Sequence, residues 1–224
     1  MKIKLQSLLV TALSLGLVTT FAQPGGPGGG MGGPSFGGSM SKLFGDNKQF
    51  SAVLEIQPGE KAKKETALSG KLTFDEGKSR FEMEAPEMGS IVVISRPDKK
   101  ASYMIYPTMK MYMELPLKDA ASAEAMSKYK VESTELGKET LLDHPCVKNK
   151  IVVTDDQGKK NESIVWNATD LKSFPVKIET TEDGTKMTMI FKDVKLTKPD
   201  ATLFEVPKDM QRMGGAGGFM PPTR

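Results

Sequence analysis

Apolar and polar side chains alternate one for one along several segments in the middle of the chain. Residues 80–85 read RFEMEA, residues 109–115 read MKMYMEL and residues 186–191 read KMTMIF. The same period of two marks residues 147–153 and 176–179. Alternation of this kind is typical of strands that bury one face and expose the other, so the pattern predicts a mainly β fold.

Turn-forming residues separate the predicted strands at intervals of about ten residues. Each of these segments holds Gly, Pro or Asp at the point where the backbone must reverse. They lie at residues 75–78, 96–99, 106–108, 155–158 and 182–184. We therefore expect one large antiparallel sheet that is strongly curved or partly closed.

Helix-forming patterns are scarce, which makes the predicted class mainly β with a small α+β component. Four apolar residues recur at four-residue spacing and predict a helix over residues 118–130: Leu117, Ala121, Ala125 and Tyr129. Pro116 precedes this segment, at a position where proline starts a helix rather than breaks it. A shorter helix is predicted over residues 39–44, and a single turn over residues 199–204.

Residues 1–22 have the pattern of a secretory signal peptide. They begin with Lys2 and Lys4, continue in a short apolar run and predict cleavage after Ala22. No cysteine follows the run, so we expect a periplasmic or secreted protein without a lipid anchor. Removing both lysines lowers the formal net charge from +3 to +1. That balance gives no electrostatic reason to expect a nucleic-acid partner.

The remaining chain divides into one domain with a biased segment on either side. Residues 23–46 are rich in Gly and Pro, which predicts a disordered linker. Residues 213–224 have the same composition and predict a disordered tail. The folded domain is therefore expected at residues 47–212.

Few residue patterns in the chain favour catalysis or a cofactor. Gly28, Gly30 and Gly33 match a dinucleotide-binding spacing, but neither a strand nor a helix is predicted around them. His144 and Cys146 are two residues apart on a predicted strand, where they would share a face as a reactive pair or as metal ligands. The alternative is a turn that enters a strand, with Cys146 packed as a small apolar residue. We expect no catalytic residue, no metal site and no cofactor.

Methionines are concentrated on two of the predicted strands. Met109, Met111 and Met113 share one face of the first, and Met187 and Met189 share one face of the second. Ordinary core packing, the lining of an apolar hollow and Cu(I) binding by thioethers are all compatible with this pattern. The pattern alone favours core packing.

Several segments resemble the lipoprotein-carrier superfamily, which comprises LolA, LolB and LppX-like proteins. Residues 69–74 (SGKLTF) and 78–82 (KSRFE) resemble its early strands. Trp166 followed by residues 174–177 (FPVK) resembles its W…(L/F)P-x-(K/R) hairpin, and residues 200–207 (DATLFEVP) resemble its closing segment. The central strands that resemble it lie at residues 91–97, 103–107 and 110–114. The resemblance is greatest to an uncharacterised branch of exported bacterial domains of unknown function.

The resemblance implies a half-open, curved antiparallel β-barrel roofed by one or two helices. Its apolar hollow would accept an acyl chain, a lipid or a lipoprotein, and the helix at residues 118–130 would be the lid. The residues expected to line the hollow are Phe81, Met83, Met109, Met111, Met113, Met187, Met189 and Phe191.

Three functions follow as hypotheses. The first is an exported, monomeric, non-enzymatic protein that binds an apolar ligand in this hollow. The second is an interaction or stress-sensing module of the same fold with an envelope protein as its partner. The third is a copper-binding protein that uses methionine.

Overall fold

The structure is a computed structural model that describes residues 38–59, 67–86, 88–117, 127–182 and 185–213. The predicted signal peptide, most of the predicted linker and residues 214–224 lie outside these ranges. The glycine motif at Gly28, Gly30 and Gly33 lies outside them as well.

Twelve strands form one sheet within the described ranges. In chain order they are β1 Gln49–Pro58, β2 Leu68–Asp75, β3 Lys78–Ala85, β4 Gly89–Arg96, β5 Ala101–Tyr106, β6 Met111–Pro116, β7 Lys130–Leu141, β8 His144–Thr154, β9 Lys160–Ala168, β10 Phe174–Glu182, β11 Thr185–Lys195 and β12 Gln211–Arg212. The helix α1 spans Ser39–Lys42, and single 3-10 turns lie at Pro97–Lys99, Pro107–Met109, Thr169–Leu171 and Ala201–Phe204. The prediction of a mainly β fold is confirmed.

The strand order across the sheet is β12-β6-β5-β4-β3-β2-β1-β11-β10-β9-β8-β7. Every neighbouring pair is antiparallel except β12 and β6, which run parallel. The sheet does not close, because β7 and β12 form its two edges. The expected half-open barrel is therefore an open sheet with short helical turns.

Consecutive strands β6 and β7 lie at opposite sides of this sheet. Ten strand spacings separate them, which would be about 48 Å in a flat sheet. The chain from Pro116 to Lys130 spans about the same distance only when it is fully extended. Tyr129, immediately before β7, packs against the main core. The sheet therefore curls toward the face on which that core lies.

Aromatic side chains fill the concave face at one end. Phe50 on β1 pairs in register with Phe74 on β2, and their rings lie 5.2 Å apart. Phe44, just after α1, contacts both rings and those of Phe174 and Phe191 as well. These residues belong to the main core. In the order of the sheet, this core extends over the seven adjacent strands β3, β2, β1, β11, β10, β9 and β8. The short helix predicted near residues 39–44 is confirmed, and it covers the concave face.

The C-terminal segment covers the opposite, convex face of β4 and β5. Phe204 is buried there against Val92, Ile94 and Ile105. Arg96 donates hydrogen bonds to both carboxylate oxygens of Asp98, at 2.9 and 2.7 Å, and to the Phe204 carbonyl at 3.1 Å. The single turn predicted over residues 199–204 is confirmed as Ala201–Phe204.

Two local predictions are corrected. The helix expected over residues 118–130 does not reach its predicted end, because β7 begins at Lys130; residues 118–126 lie outside the described ranges. The strand expected from Met109 begins at Met111, because Pro107 initiates a 3-10 turn that ends with Lys110 in the left-handed region at φ 52°.

Candidate functional site

The register places seven of the eight residues expected to line a hollow on the concave face. Phe81 lies opposite Leu72 and is therefore on the same side as Ala52 and Leu54 of β1. Directly paired residues of antiparallel strands share a face, and so do every second residues along a strand. The seven residues are Phe81, Met83, Met111, Met113, Met187, Met189 and Phe191. Met109 instead lies in the turn before β6 and is 49% exposed.

The seven residues separate into two groups. Phe81, Met189 and Phe191 are each at most 2% exposed and belong to the main core. Met187 is half-buried and packs against the same core. Five strands lie between β6 and β11. A copper site that combined Met111 and Met113 with Met187 and Met189 would therefore have to draw thioethers from strands six places apart.

A second cluster on the concave face lies toward the β6 edge. Its buried members are Ile91, Val93, Met104 and Tyr106, and Met83, Ala85 and Met213 pack against it. Within the cluster the Tyr106 hydroxyl donates to the Met104 thioether, with O and S 2.9 Å apart. This contact satisfies the only polar atom of the Tyr106 side chain inside apolar surroundings.

Strand β6 extends this cluster with side chains that are only partly buried. Met111 lies opposite Tyr106, and Met113 lies opposite Met104. Both methionines are half-buried, and Leu115 on the same face is 37% exposed. We call Met83, Met104, Tyr106, Met111 and Met113 the methionine surface. It is uncharged and consists mainly of flexible thioether side chains, which adapt to apolar ligands of varied shape.

Charged groups next to this surface belong to the other face of the sheet. Glu114 alternates with Met113 and forms an ion pair of 2.9 Å with Arg212. Glu82 alternates with Met83 and accepts a hydrogen bond of 2.9 Å from Arg80. The alternation that the sequence shows thus leaves the concave side of β3 and β6 apolar.

The predicted lid residues are described only at their two ends. The Leu117 backbone N–H donates to the Lys100 carbonyl at 3.0 Å, which fixes the start of the connection beside β5. Tyr129 packs against the main core, and burial, with smaller effects from Asp156 and Asp155, raises the pKa of its hydroxyl. Ala121 and Ala125 lie outside the described residues.

His144 and Cys146 do not form a reactive pair. His144 Nδ1 lies 2.7 Å from Asp170 Oδ2, whereas the Cys146 thiol donates to the His144 carbonyl at 3.3 Å. Cys146 is 3% exposed, and burial is the main reason that the pKa of its thiol is raised. A buried thiol with a raised pKa is a poor nucleophile. The interpretation of Cys146 as a packed apolar residue at the start of a strand is the one that the geometry supports.

An open depression of about 440 Å³ lies beside Cys146 at the β7 edge. Its lining residues are Lys138, Glu139, Thr140, Pro145, Cys146, Val147 and Thr169. Within the described part of the chain, no three His, Cys, Asp or Glu side chains group closely enough to hold a metal ion. Among the same residues, no helix has the length and apolar character needed to span a bilayer.

The domain on which this site lies corresponds to a known sequence family. A family model described as a domain of unknown function, DUF4412, matches residues 50–173. The chain belongs to the DUF4412 family. The match covers β1 to β9 and therefore includes the whole methionine surface. No curated protein sequence matches the chain.

Several solved structures are similar in fold to this DUF4412 protein. Lipoprotein LppX of Mycobacterium tuberculosis shares 9% identity at a TM-score of 0.44, covering 69% of this chain and 92% of that one. A LolA superfamily protein of Nitrosomonas europaea shares 10% identity at a TM-score of 0.41, and the match covers 73% of this chain and 93% of that one. MucB, in its complex with MucA from Pseudomonas aeruginosa, shares 11% identity at a TM-score of 0.43, and the match covers 82% of this chain and 65% of that one. The likeness concerns the fold alone.

Sequence reasoning missed several residues of the site in this DUF4412 domain. Residues 101–106 read ASYMIY, which is apolar on both faces, because Ile105 packs under Phe204 while Met104 and Tyr106 face the concave side. Period-two analysis cannot assign a face to such a strand. The composition of residues 213–224 predicts a disordered tail from Met213 onward, whereas the backbone pairing of Met213 beside β6 places it against the concave face.

Proposed function

We propose that this protein binds an acyl chain or a similar apolar ligand, without chemical reaction, on the methionine surface inside the curl of the sheet. One observation carries the proposal: the concave face is filled by packed aromatic rings near α1 but carries half-buried, flexible methionines toward β6. The sequence resemblance to lipoprotein carriers points to the same class of ligand. The predicted signal peptide would place the protein in the periplasm or outside the cell.

Apolar burial alone is large enough for useful affinity. A ligand that buries roughly 300 Å² of apolar surface gains about 7 kcal/mol before ordering costs. Without those costs this gain would correspond to a dissociation constant of about 10 μM, so the micromolar range is the upper limit of the affinity for this buried area. No charged partner for a headgroup is required, and the ligand is held mainly by its chain.

Native mass spectrometry of the whole protein, purified without detergent, is the first test. We expect additional mass in the fatty-acid or phospholipid range, or uptake of added palmitate. Titration with a fluorescent fatty acid then gives the affinity. A preparation that carries no such mass and binds neither palmitate nor the fluorescent probe overturns the proposal.

Matched methionine variants locate the site. Met111→Glu and Met113→Glu each place a carboxylate on the methionine surface, and we expect binding to weaken at least about tenfold. Met109→Glu is the control, because Met109 is exposed in the turn and lies outside the face. Circular dichroism verifies that each variant folds. Equal binding by all three variants, or equal loss in all three, contradicts the location.

A protein-interaction module remains the second candidate, and strand β7 is the observation that favours it. Among the described strands, β7 is a long edge strand that pairs with β8 alone, and most of its residues are exposed. Val131 and Leu136 are 48% and 51% exposed. Such an edge can accept a strand from a partner. Crosslinking in cells tests this candidate. The unchanged protein should capture an envelope protein, and Leu136→Lys should capture less of it.

A further inference from the structure

The backbone pairing of β12 with β6 fixes the position of Met213. The two strands run parallel, and Gln211 is level with Met111. The Met213 N–H donates to the Tyr112 carbonyl at 2.7 Å, which continues the same pairing. Because paired residues of a parallel ladder advance together, Met213 is level with Met113.

Three methionines lie side by side on three adjacent strands of the concave face. Met113 on β6 lies opposite Met104 on β5, and Met213 is level with both of them beside β12. The backbones of β5 and β12 are two strand spacings apart, which is about 9.6 Å. Met213 nevertheless packs against the buried cluster on β4 and β5 that contains Met104. Its side chain therefore extends across β6, over Met113.

The surroundings of the three thioethers are apolar and open on one side. Met104 is 4% exposed, whereas Met113 and Met213 are half-buried and can be reached from solvent. The Met104 sulfur accepts a hydrogen bond of 2.9 Å from the Tyr106 hydroxyl, which orients the thioether and leaves it a second lone pair. The charged residues that alternate with Met113 and Met213 pair with each other on the other face.

We propose that Met104, Met113 and Met213 together bind one Cu(I) ion. Thioether sulfur is a soft ligand and selects Cu(I). The ligands are neutral and their surroundings are uncharged, so they cannot offset the charge of a divalent ion that is taken out of water. A monovalent ion is therefore favoured. The flexible, unbranched side chain of methionine allows sulfurs from three strands to meet at one ion.

Strand pairing thus replaces the ligand set of the copper hypothesis that the sequence supplied. Met187 and Met189 lie on a strand six places from β6, and Met109 lies in the turn before β6. The new set joins neighbouring strands and includes Met213, which has no place in the alternating pattern. The inference goes beyond the proposed function, because copper binding at these residues requires no apolar ligand.

Leucine variants test the ligand set, because leucine keeps the apolar volume of methionine and removes its sulfur. Met104→Leu, Met113→Leu and Met213→Leu are each titrated with Cu(I) under anaerobic, reducing conditions, in competition with a chromophoric Cu(I) chelator. Every protein in the series, including the parent, carries Cys146→Ala, so that the thiol cannot bind copper. Circular dichroism verifies that each variant folds.

The parent should bind one Cu(I) ion per chain, and each of the three variants should bind it more weakly. Loss of a group outside the ligand set of a metal already lowers affinity by about tenfold to a hundredfold, so removal of a ligand should cost at least about tenfold. Met109→Leu in the exposed turn and Met189→Leu in the main core are the controls, with unchanged affinity. No binding of Cu(I) by the parent, or equal affinity in all five variants, overturns the inference.

Methyl NMR of methionine-labelled protein locates the ion directly. The probe is Ag(I), which has the charge of Cu(I) and the same preference for sulfur but is not oxidised by air. We expect the methyl signals of Met104, Met113 and Met213 to shift as Ag(I) is added, whereas the signal of Met189 stays constant. Signals of the three residues that do not move contradict the proposed ligands.

Fluorescent fatty-acid titration of the same variants separates this inference from the proposed function. The three leucine variants keep the surface apolar, so they should bind the fatty acid as the parent does. Copper binding by a protein that takes up no fatty acid upholds the inference and overturns the proposed function. Fatty-acid binding by a protein that takes up no copper does the reverse.

Discussion

The rings of Phe50 and Phe174 lie 4.8 Å apart, although strand β11 separates the strands that carry them. Two strand spacings in a flat sheet would hold their backbones about 9.6 Å apart. The side chains therefore converge on the inside of the curl. Phe44 lies against both rings, with centroids at 4.9 and 5.8 Å. α1 thus delivers the residue that fills the concave face at this end.

Replacing Phe44 with alanine should destabilise the protein severely. Phe44 is 1% exposed and contacts four other rings, so Phe44→Ala removes a buried side chain and leaves a cavity among residues that cannot all collapse. We expect a loss of about 3–5 kcal/mol in the free energy of unfolding, measured by urea denaturation. Leu68→Ala, at a residue that is 40% exposed, should change it by less than about 0.5 kcal/mol.

Alternation predicted the strands on which one face is buried. Phe81 and Met83 on β3, and Met189 and Phe191 on β11, lie on the concave side as the period of two requires. Pairs of turn residues such as Glu76 and Gly77 were equally informative, since β2 ends at Asp75 and β3 begins at Lys78. Both signals depend on the local sequence and not on the order in which the strands lie in the sheet.

Strand β7 carried no such signal. Its sequence KVESTELGKETL is polar on both faces, because an exposed edge strand has no face to bury. The candidate site was predictable only in part for a related reason. Alternation reports which residues share a face, but not which part of that face is packed by Phe44 and which part stays half open. That division depends on the strand order, which places β6 far from β1.

A methyl group at Gly70 should disrupt the β2–β3 ladder. A Cβ at this position would lie 2.1 Å from the Glu82 carbonyl oxygen and 2.9 Å from the Phe81 ring. Neither can retreat, since one is backbone and the other is buried in the main core. We expect Gly70→Ala to lower the free energy of unfolding by more than about 3 kcal/mol. Ser69→Ala, at the exposed neighbouring residue, is the control, and equal stability of both variants would contradict the close approach.

The ion pairs of Arg96 should make stability depend on acidic pH. A hydrogen bond from Arg96 is the main cause that lowers the pKa of Asp98, and hydrogen bonds from Lys99 and then Arg96 lower the pKa of Glu205. Because both carboxyl pKa values are lowered on folding, the stabilisation is complete above the ordinary values near 4 and is lost as the pH falls through the lowered ones. Urea midpoints measured between pH 7 and pH 3 should therefore decline below about pH 4.

Substitution of Arg96 tests whether its ion pairs cause the decline in acid. Arg96→Met should lower stability at pH 7 and flatten the decline in acid, because the two carboxylates lose their common partner. Lys192→Met removes an ion pair with Glu55 in which the cation is 42% exposed, against 9% for Arg96, and should leave the decline almost unchanged. A decline of the same steepness in both variants would assign it to other groups.

The turn between β7 and β8 offers a stabilising change. Leu142 and Asp143 both have positive φ, 52° and 64°, in a two-residue hairpin turn. Asn followed by Gly is the pair preferred in such turns. We expect Leu142→Asn combined with Asp143→Gly to raise the melting temperature, with a gain of about 1 kcal/mol. Calorimetry of the double variant measures it, and a lowered melting temperature would show that the turn is held by other contacts.

The single thiol should be unreactive in the native protein. Cys146 is buried and its pKa is raised, so we expect slow labelling by a thiol reagent in buffer and rapid labelling in denaturant. A variant that carries Cys146→Ala and Leu142→Cys supplies an exposed thiol four residues away and should react at once. Disulfide-linked dimers of the unmodified protein on non-reducing gels would refute the burial.

The sheet consists of two meanders that share a seam. Among the described strands, β1 to β6 pair in chain order, as do β7 to β11, and the two sets meet where β1 pairs with β11. The short strand β12 adds a second meeting place where it pairs with β6. A cut between β6 and β7 leaves every hairpin intact and interrupts no ladder of the first eleven strands. The gene can therefore be divided there into two halves. Their reassembly depends on the β1–β11 seam, where Phe44 and Phe50 meet Phe191, and on the packing of Phe204 and β12 against β4 to β6.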